Sequence, residues 1–119
     1  MKWYLAKVVF RIICGDGEHA AQFDEQLRLI AATDTLSALE KAIALGKKEQ
    51  ENFMNGNQQL VQWKFVNISE LLPLNNFTDG AELYSSVLET HDCNGYLKFI
   101  EHKAKGIAEE NHLSTLQQL

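Results

Sequence analysis

Four side chains could together bind a ligand if the second and fourth predicted strands approach one another in the sheet, namely Glu25, Trp63, Glu82 and Tyr84. Glu25 is the most unusual, because the residues two before and two after it in a predicted strand are apolar. A carboxylate that points into an apolar core is unfavourable unless it is paired or hydrogen-bonded. Two carboxylates beside aromatic walls can bind a polar ligand or exchange protons with it. These four residues are therefore the candidate ligand-binding site.

Glu25 also has structural interpretations. A bulge near the start of its strand would turn it outward. Alternatively, Lys7 or Arg11 could pair with it across a hairpin. A carboxylate that instead faces a ligand would mark a functional site. The sequence leaves these interpretations open.

Other combinations of reactive side chains are incomplete. His91, Asp92 and Cys93 are adjacent, but zinc sites take three or four protein ligands at recognisable spacing. No Gly-x-Ser-x-Gly motif marks a nucleophilic serine. The Gly-Asp-Gly at residues 15–17 is not continued into a phosphate-binding or calcium-binding loop. The sequence therefore predicts no catalytic residue, no metal ligand and no cofactor.

Length and charge restrict the classes of partner. The 119 residues fit one domain, which we expect over residues 1–111, with residues 112–119 as a frayed tail. The net charge of −5 and the isoelectric point near 5.3 argue against nucleic acid and against an anionic membrane surface. No apolar run reaches the length of a membrane-spanning helix. We expect neither nucleic acid nor a membrane as a partner.

The two cysteines, Cys14 and Cys93, are far apart in sequence and have no motif around them. No secretory signal is recognisable at the start of the chain, because Lys7 and Arg11 interrupt its apolar run. We therefore expect reduced thiols and a cytoplasmic protein.

A long first strand is predicted over residues 3–14, which contain no proline or glycine and many β-branched and aromatic residues. Alternate side chains of a strand point to opposite faces. The uncharged, predicted core face carries Tyr4, Ala6, Val8, Phe10, Ile12 and Cys14. The second face is apolar except for two cations, and its candidate interface residues are Trp3, Leu5, Lys7, Val9 and Arg11. Either the C-terminal part of the chain or a partner is expected to cover this second face.

The remaining elements follow from periodicity and turn residues. They are a strand over residues 22–32, a helix from a cap at residues 33–35 to Phe53, strands over 59–69 and 81–89, and a last helix over 96–110. The order ββαββ predicts an α+β fold. We expect a four-stranded, mainly antiparallel sheet with one long amphipathic helix packed on it, and a C-terminal helix on the other face or an edge.

Details of two elements make the expectation more specific. The apolar phase of the second strand, which contains Phe23, Leu27 and Leu29, is predicted to face inward. Gly46 lies on the apolar stripe of the long helix, where a glycine permits a close approach to the sheet. The Asn-Gly-Asn at residues 55–57 is typical of a helix end.

Several short motifs follow one another along the chain in a recognisable order. They are Trp3-Tyr4 with Ala6-Lys7, Phe23-x-Glu25 with Leu29-Ile30-x-Ala32, Ala38-Leu39-Glu40-Lys41-Ala42 with Gly46, Val61-x-Trp63-Lys64-Phe65, and Asp79-Gly80-Ala81-Glu82-Leu83-Tyr84-Ser85. Their order resembles a family of small bacterial proteins catalogued as domain of unknown function 4288, over about residues 2–86. The resemblance implies a bacterial cytoplasmic α+β domain and includes Glu25 and Glu82. It implies no reaction, ligand or catalytic residue.

Two functions of different classes follow from these observations. The first is a non-enzymatic interaction module that forms a homodimer, or binds a protein partner, through the second face of its sheet. The alternative is a small-ligand binding protein or enzyme that uses Glu25 and Glu82 near Trp63 and Tyr84. The absence of a catalytic motif favours the first, and a pocket that converges on Glu25 would favour the second.

Overall fold

The computed structural model describes residues 1–111. The chain divides into two compact units, Met1–Leu83 and Tyr84–Leu119. The predicted frayed tail, residues 112–119, lies outside the described residues, and the single domain over 1–111 stays a prediction. The elements are β1 Lys2–Cys14, β2 Gln22–Ala32, α1 Thr35–Lys48, β3 Glu51–Met54, β4 Leu60–Leu74 and α2 Cys93–Glu110.

The four strands form one antiparallel sheet in the order β2-β1-β4-β3. The first strand is therefore central, with β2 on one side and β4 on the other. The helix α1 packs against this sheet and contacts β1, β2 and β4. The predicted α+β fold with a four-stranded antiparallel sheet is confirmed.

The core of the first unit lies between α1 and the even-numbered face of β1. That face was predicted from its lack of charge, and the prediction is confirmed. The core residues are Tyr4, Ala6, Val8, Phe10, Ile30, Ala32, Ala38 and Ala42, all at most 6% exposed. Two alanines on the helix side let α1 lie close to the sheet, so that the larger side chains of β1 fill the space between them.

Gly46 confirms the predicted close approach of helix and sheet. A β-carbon at this position would overlap the aromatic ring of Phe65 on β4. That ring also contacts Phe10 edge to face, with 6.1 Å between ring centroids. The missing side chain at position 46 therefore makes room for an aromatic residue that joins α1 to the core.

The inward face predicted for β2 is wrong. The residues that face α1 are the even-numbered ones, and Ile30 and Ala32 enter the core. Phe23, Leu27 and Leu29 are on the opposite face and are 51–58% exposed. The register explains the outcome, because Ile30 pairs with Tyr4 and a single pairing fixes the face of every residue in the strand.

The long helix ends at Lys48, five residues before the predicted end at Phe53. Residues Glu51–Met54 instead form β3, which pairs with β4. The Asn55 side-chain oxygen accepts hydrogen bonds from the Asn57 and Gln59 backbone N–H groups, at 2.9 and 3.0 Å. The Asn-Gly-Asn sequence thus closes a hairpin rather than a helix. Phe53 fitted the helical period by coincidence.

The last predicted strand, over residues 81–89, is absent, and residues 75–92 contain no helix or strand. Gly80 adopts the expected turn, with φ 83°. The fourth strand of the sheet is β3 instead. The strand predicted over 59–69 extends to Leu74 and includes Pro73, and register shifts leave Val66 and Ser69 as bulges.

In the second unit, α2 begins at Cys93, three residues before the predicted Tyr96. The Asp92 carboxylate caps it by accepting a hydrogen bond from the Gly95 backbone N–H at 3.0 Å.

Neither helix within residues 1–111 has the length and apolar character required to cross a membrane. Where α2 lies relative to the sheet stays a prediction.

Candidate functional site

A cleft opens where α1 ends, between β3 and the face of the sheet that carries the core. Its volume is about 680 Å³. Eight residues from all four strands and the end of α1 line it, namely Phe10, Asp24, Gln26, Lys48, Glu49, Glu51, Phe53 and Trp63. The early end of α1 creates this space, because the helix stops before it covers the far end of the sheet.

Two aromatic rings form one wall of the cleft. Phe53 on β3 and Trp63 on β4 are stacked, with ring centroids 6.2 Å apart and an angle of 24° between the rings. The register places Glu51 directly opposite Trp63, so that Phe53 is its diagonal neighbour. Diagonal neighbours on one face of an antiparallel pair are within reach of aromatic side chains. The wall therefore depends on the β3–β4 hairpin.

A chain of hydrogen bonds joins this wall to the end of α1. Asp24 Oδ2 accepts from Trp63 Nε1 at 3.2 Å and from Gln26 Nε2 at 2.7 Å. Gln26 Oε1 in turn accepts from Arg28 at 3.0 Å. Arg28 donates both ends of its guanidinium to Glu49, at 2.7 and 2.9 Å. The network holds Asp24 in place without an ion pair to it.

The Arg28–Glu49 pair perturbs both of its members. The hydrogen bond from Arg28 lowers the pKa of Glu49, and the same contact raises the pKa of Arg28. Two-point contacts between guanidinium and carboxylate are among the stronger charge-assisted hydrogen bonds. Both side chains remain about one-third exposed, so solvent weakens the interaction.

The structure separates the residues that the sequence grouped into one site. Trp63 lies in the cleft, whereas Glu25 lies on the opposite face of the sheet, because it pairs in register with Val9. Lys7 Nζ is 3.9 Å from Glu25 Oε1, as one structural interpretation of Glu25 proposed. The carboxylate that reaches Trp63 belongs to the neighbouring residue, Asp24.

Glu82 and Tyr84 lie in the stretch without regular structure. Glu82 is exposed near the end of the first unit, and Tyr84 is half-buried at the start of the second. The strand that would have brought Glu82 beside β2 is not formed. The participation of Glu25, Glu82 and Tyr84 in ligand binding stays a prediction.

Sequence reasoning missed Asp24 and Glu49. Asp24 is one residue away from Glu25, and the phase of β2 decides which of the two meets Trp63. The apolar Ile30 and Ala32 at the other end of β2 were the available signal for that phase. Glu49 was placed inside a longer helix, so its position beside the sheet was not recognisable.

The second surface of interest is the sheet face away from α1, which we call the odd face. It carries the predicted interface residues Trp3, Leu5, Lys7, Val9 and Arg11, together with Phe23, Leu27 and Leu29 of β2 and Leu72 of β4. Trp3, Phe23, Leu27, Leu29 and Leu72 are 40–58% exposed. Leu5, between Leu29 and Leu72 in register, is only 7% exposed.

Charges of both signs cross the middle of the odd face. Lys7 pairs in register with Glu70, and Arg11 pairs with Lys64. Two cations directly opposite one another on a sheet repel. The exposed Phe23 also lies at this charged end, because it pairs in register with Arg11.

With this geometry established, the chain can be compared with known proteins. The family model described as Domain of unknown function (DUF4288) matches residues 3–85. The chain belongs to this family. No curated protein and no solved structure matches it. The match confirms the resemblance recognised in the sequence motifs.

The DUF4288 match contains the sheet except for Lys2, together with α1 and every residue of the cleft, whereas α2 begins beyond it. Both surfaces described above are thus part of the family domain. Within residues 1–111, no three His, Cys, Asp or Glu side chains are grouped in a way that could hold a metal ion.

Proposed function

We propose that this DUF4288 domain is a non-enzymatic interaction module that forms a homodimer through its odd face. The observation that carries the proposal is the group of neighbouring large apolar side chains exposed there, which includes Trp3, Leu27 and Leu29. Contiguous apolar surface of this kind is typical of protein–protein contacts. The bacterial cytoplasm, expected from the sequence, is the setting in which we place it.

Charge favours a second copy of this chain as the partner. A two-fold interface brings the same patch of both copies together, so the patch must complement itself. The odd face carries cations at Lys7, Arg11 and Lys64 and carboxylates at Glu25 and Glu70. A second copy can therefore bring carboxylates to the adjacent Arg11 and Lys64. A face with charges of one sign could not do so.

The test is the solution mass of wild type, Leu29→Glu and Leu36→Glu, measured by size-exclusion chromatography with light scattering. Leu29 and Leu36 are both exposed leucines, at 58% and 66%, but Leu36 is on α1. We expect wild type and Leu36→Glu at twice the 13.5 kDa monomer mass. We expect Leu29→Glu to weaken association by about tenfold or more, equivalent to at least about 1.4 kcal/mol.

Circular dichroism of Leu29→Glu establishes that the variant is folded. A monomeric wild type across the micromolar range would overturn the homodimer. Equal dissociation by Leu29→Glu and Leu36→Glu would remove the odd face as the interface.

A further inference from the structure

We propose that the cleft beside Trp63 binds a small organic cation, in which an ammonium, amidinium or guanidinium group is attached to a flat apolar body. The cleft and the odd face are on opposite sides of the sheet. The inference is therefore independent of the homodimer.

The sign of the charge in the cleft selects a cation. Three carboxylates, Asp24, Glu49 and Glu51, line the cleft together with one lysine, Lys48. Arg28 neutralises Glu49 through two hydrogen bonds. Within residues 1–111, no ion pair is formed by Asp24 or Glu51. The remaining charge is negative, and opposite charges in a partly enclosed cleft attract more strongly than in open solvent.

Asp24 is oriented for this role. Its Oδ2 atom accepts hydrogen bonds from Trp63 and Gln26. Its other oxygen, Oδ1, accepts none from the part of the chain that the structure describes. A carboxylate held on one side by neutral donors presents its second oxygen to a ligand. Ligand sites commonly combine apolar walls with a few such fixed polar groups.

The aromatic wall is the reason for proposing a ligand with a flat apolar body. The Trp63 indole is fixed at its edge by Asp24 and stacks with Phe53. A flat apolar group can pack against this pair, and a cation beside the indole face gains a cation–π contribution, which is strongest for tryptophan. The volume of about 680 Å³ is within the range of small-molecule pockets.

The test is a titration of the full-length chain with benzamidine, followed by nuclear magnetic resonance. The sequence has two tryptophans, Trp3 and Trp63. The Trp3→Phe variant leaves Trp63 as the sole source of an indole N–H resonance. Benzamide is the neutral control of nearly the same shape, and benzoate is the anionic one. We expect benzamidine to shift the Trp63 resonance saturably and benzamide to bind about tenfold more weakly.

Two variants with the same change of charge locate the site. Asp24→Asn removes the charge but retains an oxygen that can accept the hydrogen bond from Trp63. Glu25→Gln removes one negative charge from the adjacent residue on the opposite face. We expect Asp24→Asn to weaken benzamidine binding about tenfold and Glu25→Gln to change it less than about twofold.

Several results would overturn the proposal. They are the absence of a saturable shift with benzamidine, equal binding of benzamide or benzoate, and equal effects of Asp24→Asn and Glu25→Gln. If the spectrum shows that Asp24→Asn is unfolded, Glu51→Gln takes its place, because Glu51 lines the same cleft outside the hydrogen-bond chain. Unchanged benzamidine binding in that variant would also contradict the proposal.

Discussion

Gly46 is a position in α1 where one added carbon atom would overlap a side chain packed on the core. Its Cα faces the ring of Phe65, and no space remains for a methyl group. Alanine is normally preferred to glycine in a helix interior by about 1 kcal/mol. At this residue the lack of space beside Phe65 therefore favours glycine, whereas helix propensity favours alanine.

We expect Gly46→Ala to lower the free energy of unfolding by up to about 2 kcal/mol, because overpacking by a methyl group costs about 1–3 kcal/mol. Chemical denaturation measures the change. Gly106→Ala on α2 is the matched control, since within residues 1–111 no atom beyond its own stretch of helix lies within 4 Å of its added β-carbon. That variant should be neutral or more stable. A stabilised Gly46→Ala would contradict the packing described for Phe65.

The Arg28–Glu49 pair predicts a dependence of stability on acid. Because the pKa of Glu49 is lowered in the folded state, its contribution is complete above the ordinary glutamate pKa of about 4.3. It is lost as the pH falls through the lower folded value. The lowered pKa of Asp34, caused by the hydrogen bond from Ser37, acts in the same direction.

We expect Glu49→Gln to lose at most about 1 kcal/mol at pH 7, as is typical of exposed ion pairs. The difference from wild type should shrink as the pH falls below about 4.3 and through the lower folded-state pKa of Glu49. Thermal unfolding at several pH values measures it. Glu40→Gln, a carboxylate on the exposed side of α1, is the control. A constant difference at all pH values would show that charge is not the cause.

The elements of this fold differ in how firmly they are held. β1 has a paired neighbour on both sides along nearly its whole length. β3 has four residues, all exposed, and pairs only with β4. The aromatic wall of the cleft thus rests on the least protected strand of the sheet.

We expect the amide hydrogens of β1 to exchange most slowly and those of β3 to exchange by local opening, because local stability follows burial and pairing. Hydrogen exchange followed by nuclear magnetic resonance gives both rates. Saturating benzamidine should slow exchange in β3 and leave that in α2, which contributes no residue to the cleft, nearly unchanged. Equal protection of β1 and β3 would be contrary to this account.

Sequence patterns predicted some elements well for physical reasons. The first strand and its core face could be predicted because its even-numbered residues carry no charge over twelve positions. The antiparallel pairing of the first two strands could be predicted from the glycine-containing turn after Cys14. β3 was missed because four residues are too short to establish a period, and Phe53 fitted a longer helix. The face of β2 was missed because its exposed side is more apolar than the side that meets α1.

At the scale of the whole molecule, the first unit contains its own core. The core residues run from Tyr4 to Ala42, and the partly buried residues packed against them end at Leu71. The family match ends near the same boundary, at residue 85. The candidate site could be predicted only in part, because the approach of Asp24 to Trp63 depends on contacts 39 residues apart in sequence.

We expect a fragment of residues 1–83 to fold cooperatively, with the sheet and α1 intact, because their core contacts are internal to it. Circular dichroism and thermal unfolding measure this. The full-length chain is the reference. A fragment without a cooperative transition would mean that the core depends on residues beyond 83.

The two lateral borders of the sheet are chemically unequal. On the β2 side, eleven residues run without a bulge or proline. The opposite border consists of the short β3 and of the part of β4 that β3 does not pair with. That part of β4 contains the bulges at Val66 and Ser69, and Pro73, which has no backbone N–H. Strands prone to sideways growth are commonly blocked by such features. A homodimer joined through the odd faces does not itself pair the β2 border. Lateral addition of further strands, and with it fibril growth, would therefore begin at β2 and not at the β3 side.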